Sequence, residues 1–186
     1  MTLQDGIRKV YMLLDEYSSG GSISEDPDIA LKMRDFFDIA QKDMANFKRI
    51  IREVTIDVGD ATVYKLPSDC AKVFRVWIGG VLSNRYVIRS GGISFPSSIP
   101  GTVTVEYFAL PETISSDTPN DYVFEVSEDA AQCLPFFVAA QNLMADLVVD
   151  YSAFLQMYYN MRNTLDVSLP SGSGTGGVLQ TLFRRK

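Results

Sequence analysis

The segment Gly172-Ser-Gly-Thr-Gly-Gly177 matches GxGxxG, the spacing that lets a backbone approach a pyrophosphate. That chemistry needs a strand before the glycines and an acidic residue about 20 positions after them. No strand pattern leads into this run and only nine residues follow it, so its Gly/Ser composition is read as a flexible linker. Carboxylates are the second candidate. Asp35, Asp38 and Asp43 share one helical stretch, and Asp146 and Asp150 are i, i+4 neighbours whose side chains could share a divalent ion or divide acid and base roles. These positions lie opposite apolar stripes, and those of the earlier stretch alternate with Lys32, Lys42 and Lys48, so a solvated helix face is expected there. The sequence contains no histidine, which removes Ser-His-Asp and Cys-His nucleophiles, HExxH zinc sites and the usual proton shuttle at neutral pH. Cys70 and Cys133 stand alone in apolar stretches, too far apart in sequence for metal-ligand spacing, and are expected as buried reduced thiols. No catalytic, cofactor or metal site is expected. The aromatic residues Trp77, Tyr86, Phe95, Tyr107, Phe108, Tyr151, Phe154, Tyr158 and Tyr159 have few cations near them, which favours packing over base stacking.

The elements that would position these residues come from a chain of 186 residues that is 46% apolar and 22% charged, the composition of a folded domain or a domain with an insertion. Its 23 acids against 17 bases give net −6, which argues against a body that binds nucleic acid by neutralising phosphates. The first residues lack a signal-peptide pattern and no run of 18 apolar residues occurs, so a soluble, reducing compartment is expected.

Leu3, Ile7, Val10, Tyr11 and Leu14 fall on one helical face behind Thr2 as a cap. Ser18 to Ser22 ends that helix, and Asp26-Pro27 opens the next, with proline where its missing N–H costs nothing. Ala30, Met33, Phe37, Ala40, Met44, Phe47 and Ile51 then predict a helix over 27–53, roughly 40 Å long and longer than a small globule requires. At Val54 the period changes to two. Strands are expected at 54–58, 62–66, 73–78, 86–89, 92–95 and 102–109, forming an antiparallel meander or small barrel. A polar loop follows from Pro111, and Ser127 is expected to cap a further helix with its hydroxyl. Pro135 either kinks that helix or starts another; the kink is the reading adopted. A last helix follows the break at 150–152.

The expected class is therefore α+β. Residues 1–53 and 127–166 each supply two helices of one bundle, 54–126 is an inserted β domain, and 167–186 is an extended tail of linker and anchor. The tail carries +3 against −9 for the rest.

Three stretches, Tyr64-Lys-Leu-Pro-Ser-Asp-Cys-Ala-Lys-Val-Phe-Arg-Val-Trp-Ile-Gly-Gly80, Val105-Glu-Tyr-Phe-Ala-Leu-Pro-Glu112 and Pro135-Phe-Phe-Val-Ala-Ala-Gln141, together with the element order, resemble head-tail connector (adaptor) proteins of tailed bacteriophages. The resemblance implies a non-enzymatic virion protein, assembled in the host cytoplasm into a ring, commonly twelvefold. Such a ring sits beneath the portal, meets a tail or tail-completion protein, and lines the channel through which DNA passes without sequence-specific binding. No membrane association is expected. Within that frame, Val178, Leu179, Leu182, Phe183, Arg184 and Arg185 are expected to bind the portal. Lys42, Lys48 and Arg49 are expected to face Asp146 and Asp150 of a neighbouring subunit. A generic α+β protein-binding module, or a metal-dependent hydrolase with a carboxylate site, are the alternatives.

Overall fold

A computed structural model describes residues 1–17, 27–96, 99, 101–145 and 150–168. The Gly172–Gly177 run, the whole segment from 169 onward, Asp26, Asp146 and the 18–22 break lie outside the described residues. The chain is α+β and divides into two compact units. Among the described residues, the first unit comprises those within 1–51, 69–71 and 108–167, and the second those within 52–68 and 72–107 together with Ser168.

The first unit holds α1 (Leu3–Tyr17), α2 (Pro27–Phe47), a single turn α3 (Glu128–Ala131), α4 (Leu134–Ala145) and α5 (Ser152–Thr164). Thr2 caps α1 as expected: its Oγ1 accepts the Asp5 N–H at 3.2 Å while the Asp5 carboxylate accepts the Thr2 N–H at 3.1 Å, a reciprocal box. These bonds hold the Asp5 carboxyl below the usual carboxylate range. α4 is the hub and packs against α1, α2 and α5. Its apolar Val138, Ala139 and Ala140 are fully buried with Leu3, Val10, Met33, Phe37, Met44 and Tyr158 in one core.

Three expectations for these helices change. α2 starts at Pro27 as read but ends at Phe47, giving 21 residues and roughly 32 Å rather than 40 Å. The β-branched Ile50-Ile51 instead joins the expected strand at Val54-Thr55-Ile56, since such side chains favour the pleated surface over another helical turn. Pro135 does not kink a continuous helix. It sits second in α4, where a proline forfeits no helical hydrogen bond, and α3 ends before it. Ser127 precedes α3, but it is the backbone carbonyl that accepts the Ala131 N–H at 2.8 Å; the hydroxyl makes no cap.

Segment 110–126 has no regular structure beyond an isolated bridge at Val123, yet Ile114, Phe124 and Val126 are buried in the helical core. α2 secures it by side chains alone. Arg34 donates to the Thr118 carbonyl and Asn120 Oδ1, and Asp38 Oδ1 accepts the Ile114 N–H at 3.0 Å. Buried Gln41 donates to the Glu112 carbonyl at 3.2 Å and accepts the Glu125 N–H at 3.0 Å. Such bonds discharge the backbone polar groups that a non-helical segment brings into a core.

The strands are β1 (Ile50–Val58), β2 (Cys70–Ile78), β3 (Val81–Leu82), β4 (Val87–Arg89), β5 (Gly92–Ser94) and β6 (Gly101–Ala109), and their residues within 52–68 and 72–107 build the second unit. Two antiparallel hairpins, β2/β3 and β4/β5, are joined by short turns, and the first turn is Gly79-Gly80 with φ +58° and +76° at its two central positions. The meander and barrel expectation fails. Among the described residues one sheet has the order β1-β6-β2-β3 and a second pairs β4 with β5, so β6 inserts between β1 and β2 and no barrel closes there. The expected strand at 62–66 reduces to a bridge between Tyr64 and Ile93. In β6 the alternation is clean: Val103, Val105, Tyr107 and Ala109 are buried. Ile56, Val76, Ile93 and Ile99 join Val103 and Val105 in a separate small core.

Candidate functional site

Among the described residues, no three His, Cys, Asp or Glu side chains gather where they could hold a metal ion. Of the α2 carboxylates read from the sequence as possible acid–base or metal groups, Asp35 is exposed while Asp38 and Asp43 serve packing. Asp38 pairs with Lys42 at 2.6 Å and caps the Ile114 N–H. Asp43 Oδ2 accepts the Tyr158 hydroxyl at 2.6 Å and Arg162 Nη1 at 2.7 Å. The Arg162 guanidinium also lies over the Phe47 ring, 4.6 Å from its centroid, and beside Tyr159 at 5.5 Å. Burial together with the Asp43 carboxylate drives the Tyr158 phenol far above its ordinary range, so this tyrosine stays a donor. The trio ties α2 to α5 and was missed in the sequence, where Asp43 reads as solvated.

Of the residues expected at a subunit contact, Lys42 donates to Asp38 and Thr113. Lys48 pairs with Asp129 at 2.7 Å, and hydrogen bonds from Lys48 and Ser127 bring the Asp129 carboxyl down to about 2. Arg49 donates to Asn46 Oδ1 at 3.0 Å and lies 5.7 Å over the Phe108 ring. Asp150 accepts the Ser152 N–H at 2.8 Å at the start of α5, which holds its carboxyl low. The structure thus gives all four a partner within their own chain. Val178, Leu179, Leu182, Phe183, Arg184 and Arg185 fall in the segment outside the described residues.

Cys70 and Cys133 form no disulfide, and burial pushes the Cys133 thiol up. Tyr107, Phe154 and Tyr158 are buried as packing residues, while Tyr151 and Tyr159 are 38% and 42% exposed. In the β unit the Trp77 indole donates to Glu106 Oε1 at 3.0 Å, and Arg75 lies 3.5 Å from the other Glu106 oxygen.

Two concavities stand out. A cleft in the β unit runs along 58–63 against Arg89, Ser94, Phe95 and Pro96, with Asp60 and Arg89 as its charged residues. A groove of about 330 Å³ in the helical unit is lined by Met12, Leu13, Pro135, Phe136 and Met161, with Lys9 and Gln132 at its polar end. The groove is apolar and solvent-facing, a surface suited to receiving a side-chain ridge rather than to bond chemistry. No helix among the described residues is long and apolar enough to cross a membrane.

No curated protein sequence matches the chain. A family model described as SU10 adaptor protein matches residues 1–169. The chain therefore belongs to that family of bacteriophage structural adaptors. Membership implies a virion component that associates with portal or tail proteins, and such families are generally non-enzymatic.

Proposed function

With adaptor membership as the premise, we propose that the chain is a non-enzymatic head-tail adaptor that forms a ring, of twelve copies, beneath the portal. The ring lines the DNA exit channel without reading sequence and offers its far side to a tail or tail-completion protein. The observation that carries this reading is the family match, which spans 169 of 186 residues and so covers both units. The net charge of −6 supports the channel role, since a predominantly acidic wall does not hold phosphates. Helices within 1–53 and 127–166 form the bundle of this reading, the β unit between them is its inserted domain, with 108–126 packed on the helices, and Val178–Phe183 with Arg184 and Arg185 are its portal anchor. A Gly/Ser linker gives that anchor reach, because 20 extended residues span roughly 65 Å. Lys42, Lys48 and Arg49 facing a neighbour's Asp146 and Asp150 set register, sharing charges already partnered inside the chain.

Purified particles test the reading directly. Twelve copies per particle at the portal vertex are expected. A chain truncated after Leu169 is expected to remain folded and soluble but to fail to join the portal. Normal incorporation of that truncation would overturn the anchor, and a chain absent from the particle would overturn the adaptor.

A further inference from the structure

α2 turns Met33, Phe37, Ala40 and Met44, all fully buried, into the core. On its opposite side Leu31, Asp35 and Ile39 follow one another at four-residue intervals and stack along one face over roughly 12 Å. Leu31 and Ile39 are 47% and 51% exposed, and Asp35 is exposed with no hydrogen-bond or ion-pair partner among the described residues. Isolated exposed apolar side chains are ordinary. A second surface of complementary chemistry makes these informative.

That surface is the α1/α4/α5 groove. Its floor is Met12, Leu13, Pro135, Phe136 and Met161, Met12 being 61% exposed, and its charged rim residue is a cation, Lys9, bonded to the amide oxygen of Gln132. The ridge reads apolar, acid, apolar; the groove reads apolar with one base. Ridge and groove belong to the same unit yet share no residue and no helix, the condition for a heterologous contact in which each copy gives one surface and takes the other. Methionines in the lining suit an incoming ridge, because their unbranched side chains repack around it.

We propose that the groove receives the outer face of α2 from a second copy of this chain. Leu31 and Ile39 bed against Met12, Phe136 and Met161, and Asp35 meets Lys9. The inference rests on the ring reading and deepens it: apolar burial supplies the contact, and the single charge pair fixes which way the ridge lies.

The full chain in assembling particles tests it, with incorporation read from purified particles and self-association from amine cross-linking of the particle-bound chain. The unaltered chain is expected to give a ladder of multiples of 20.7 kDa. Leu31→Glu with Ile39→Glu is expected to lower incorporation about tenfold or more, with the helical circular dichroism and melting of the free chain retained because both positions are exposed. Asp35→Lys and Lys9→Glu should each weaken incorporation, and the two together should restore it. Normal incorporation of the Leu31/Ile39 variant, or no recovery in the charge swap, overturns the groove contact while the ladder leaves the ring standing. Loss of incorporation on Met12→Glu but not on the Leu31/Ile39 change assigns the groove to a different protein and also overturns it. No ladder from the unaltered chain overturns the ring, and this contact with it.

Discussion

Asp129 and Lys48 are 81 positions apart, and their 2.7 Å pair fastens the turn α3 to the end of α2. The Asp129 carboxyl, brought to about 2, lies below its ordinary value, so its contribution to stability is complete above the usual carboxylate range. That contribution is lost as pH falls from about 4 towards 2. Because the side chain is 51% exposed, solvent screens the pair and Asp129→Asn should cost no more than about 1 kcal/mol at neutral pH. Urea titrations should show that difference closing in the acid limb, and a gap independent of pH would count against the pair. The types of these residues were legible in the sequence; their partners were not. Asp43 looked like a solvated helix acid because nothing local marks Tyr158 and Arg162, 115 and 119 positions later, as its partners. The one available signal was Arg162, the sole cation between 127 and 166 and adjacent to aromatic and methionine positions.

Elements whose pattern is long and of one period were read well, and those whose ends rest on competing signals were not. β6 alternates over nine residues and α1 carries both an apolar stripe and its cap, so each came out within a residue or so. The end of α2 did not, because Ile50 and Ile51 satisfy helical spacing by coincidence while their branching favours a strand. The 62–66 strand was lost to a different demand. Tyr64 exchanges two backbone bonds with Ile93, at 2.8 and 2.9 Å, and this leaves the neighbouring Gly92 so close that a Cβ there would stand 2.0 Å from the Tyr64 carbonyl oxygen. Backbone against backbone leaves nothing to rotate away. Gly92→Ala should therefore destabilise the β unit by about 3 kcal/mol. Trp77, the only tryptophan and a β-unit residue, reports that as an earlier fluorescence transition in denaturant. An unchanged midpoint would refute the close approach.

For the whole molecule, the α+β class followed from two changes of hydrophobic period, but strand order could not. Alternation says which face of a strand is buried and is silent about which strand lies beside it, so the insertion of β6 between β1 and β2 left no trace in the sequence. The role of 110–126 was hidden for a related reason. A segment without periodicity reads as a loop, although Ile114 and Phe124 are only 2% and 4% exposed. Two deletions make the distinction measurable. Replacing 57–106 by a short Gly-Ser bridge joins adjacent strands β1 and β6 and should leave a helical, cooperatively melting protein. Extending the deletion to 57–122 removes Ile114 and the partners of Arg34, Asp38 and Gln41, and cooperativity should be lost. Equal behaviour of the two would contradict the packing described.

The bond from the Leu3 N–H to the Tyr122 carbonyl, and the packing of α1 on α4, also impose an order on folding during synthesis. At ribosomal speeds of about 5–20 residues per second, α1 leaves the ribosome roughly 6 to 24 s before the residue it bonds to. The strands of 52–107 are complete before then and can close their own small core first. During that interval the apolar faces of α1 and α2 have no α4 to cover them, and uncovered apolar surface of this kind is where a nascent chain is prone to associate.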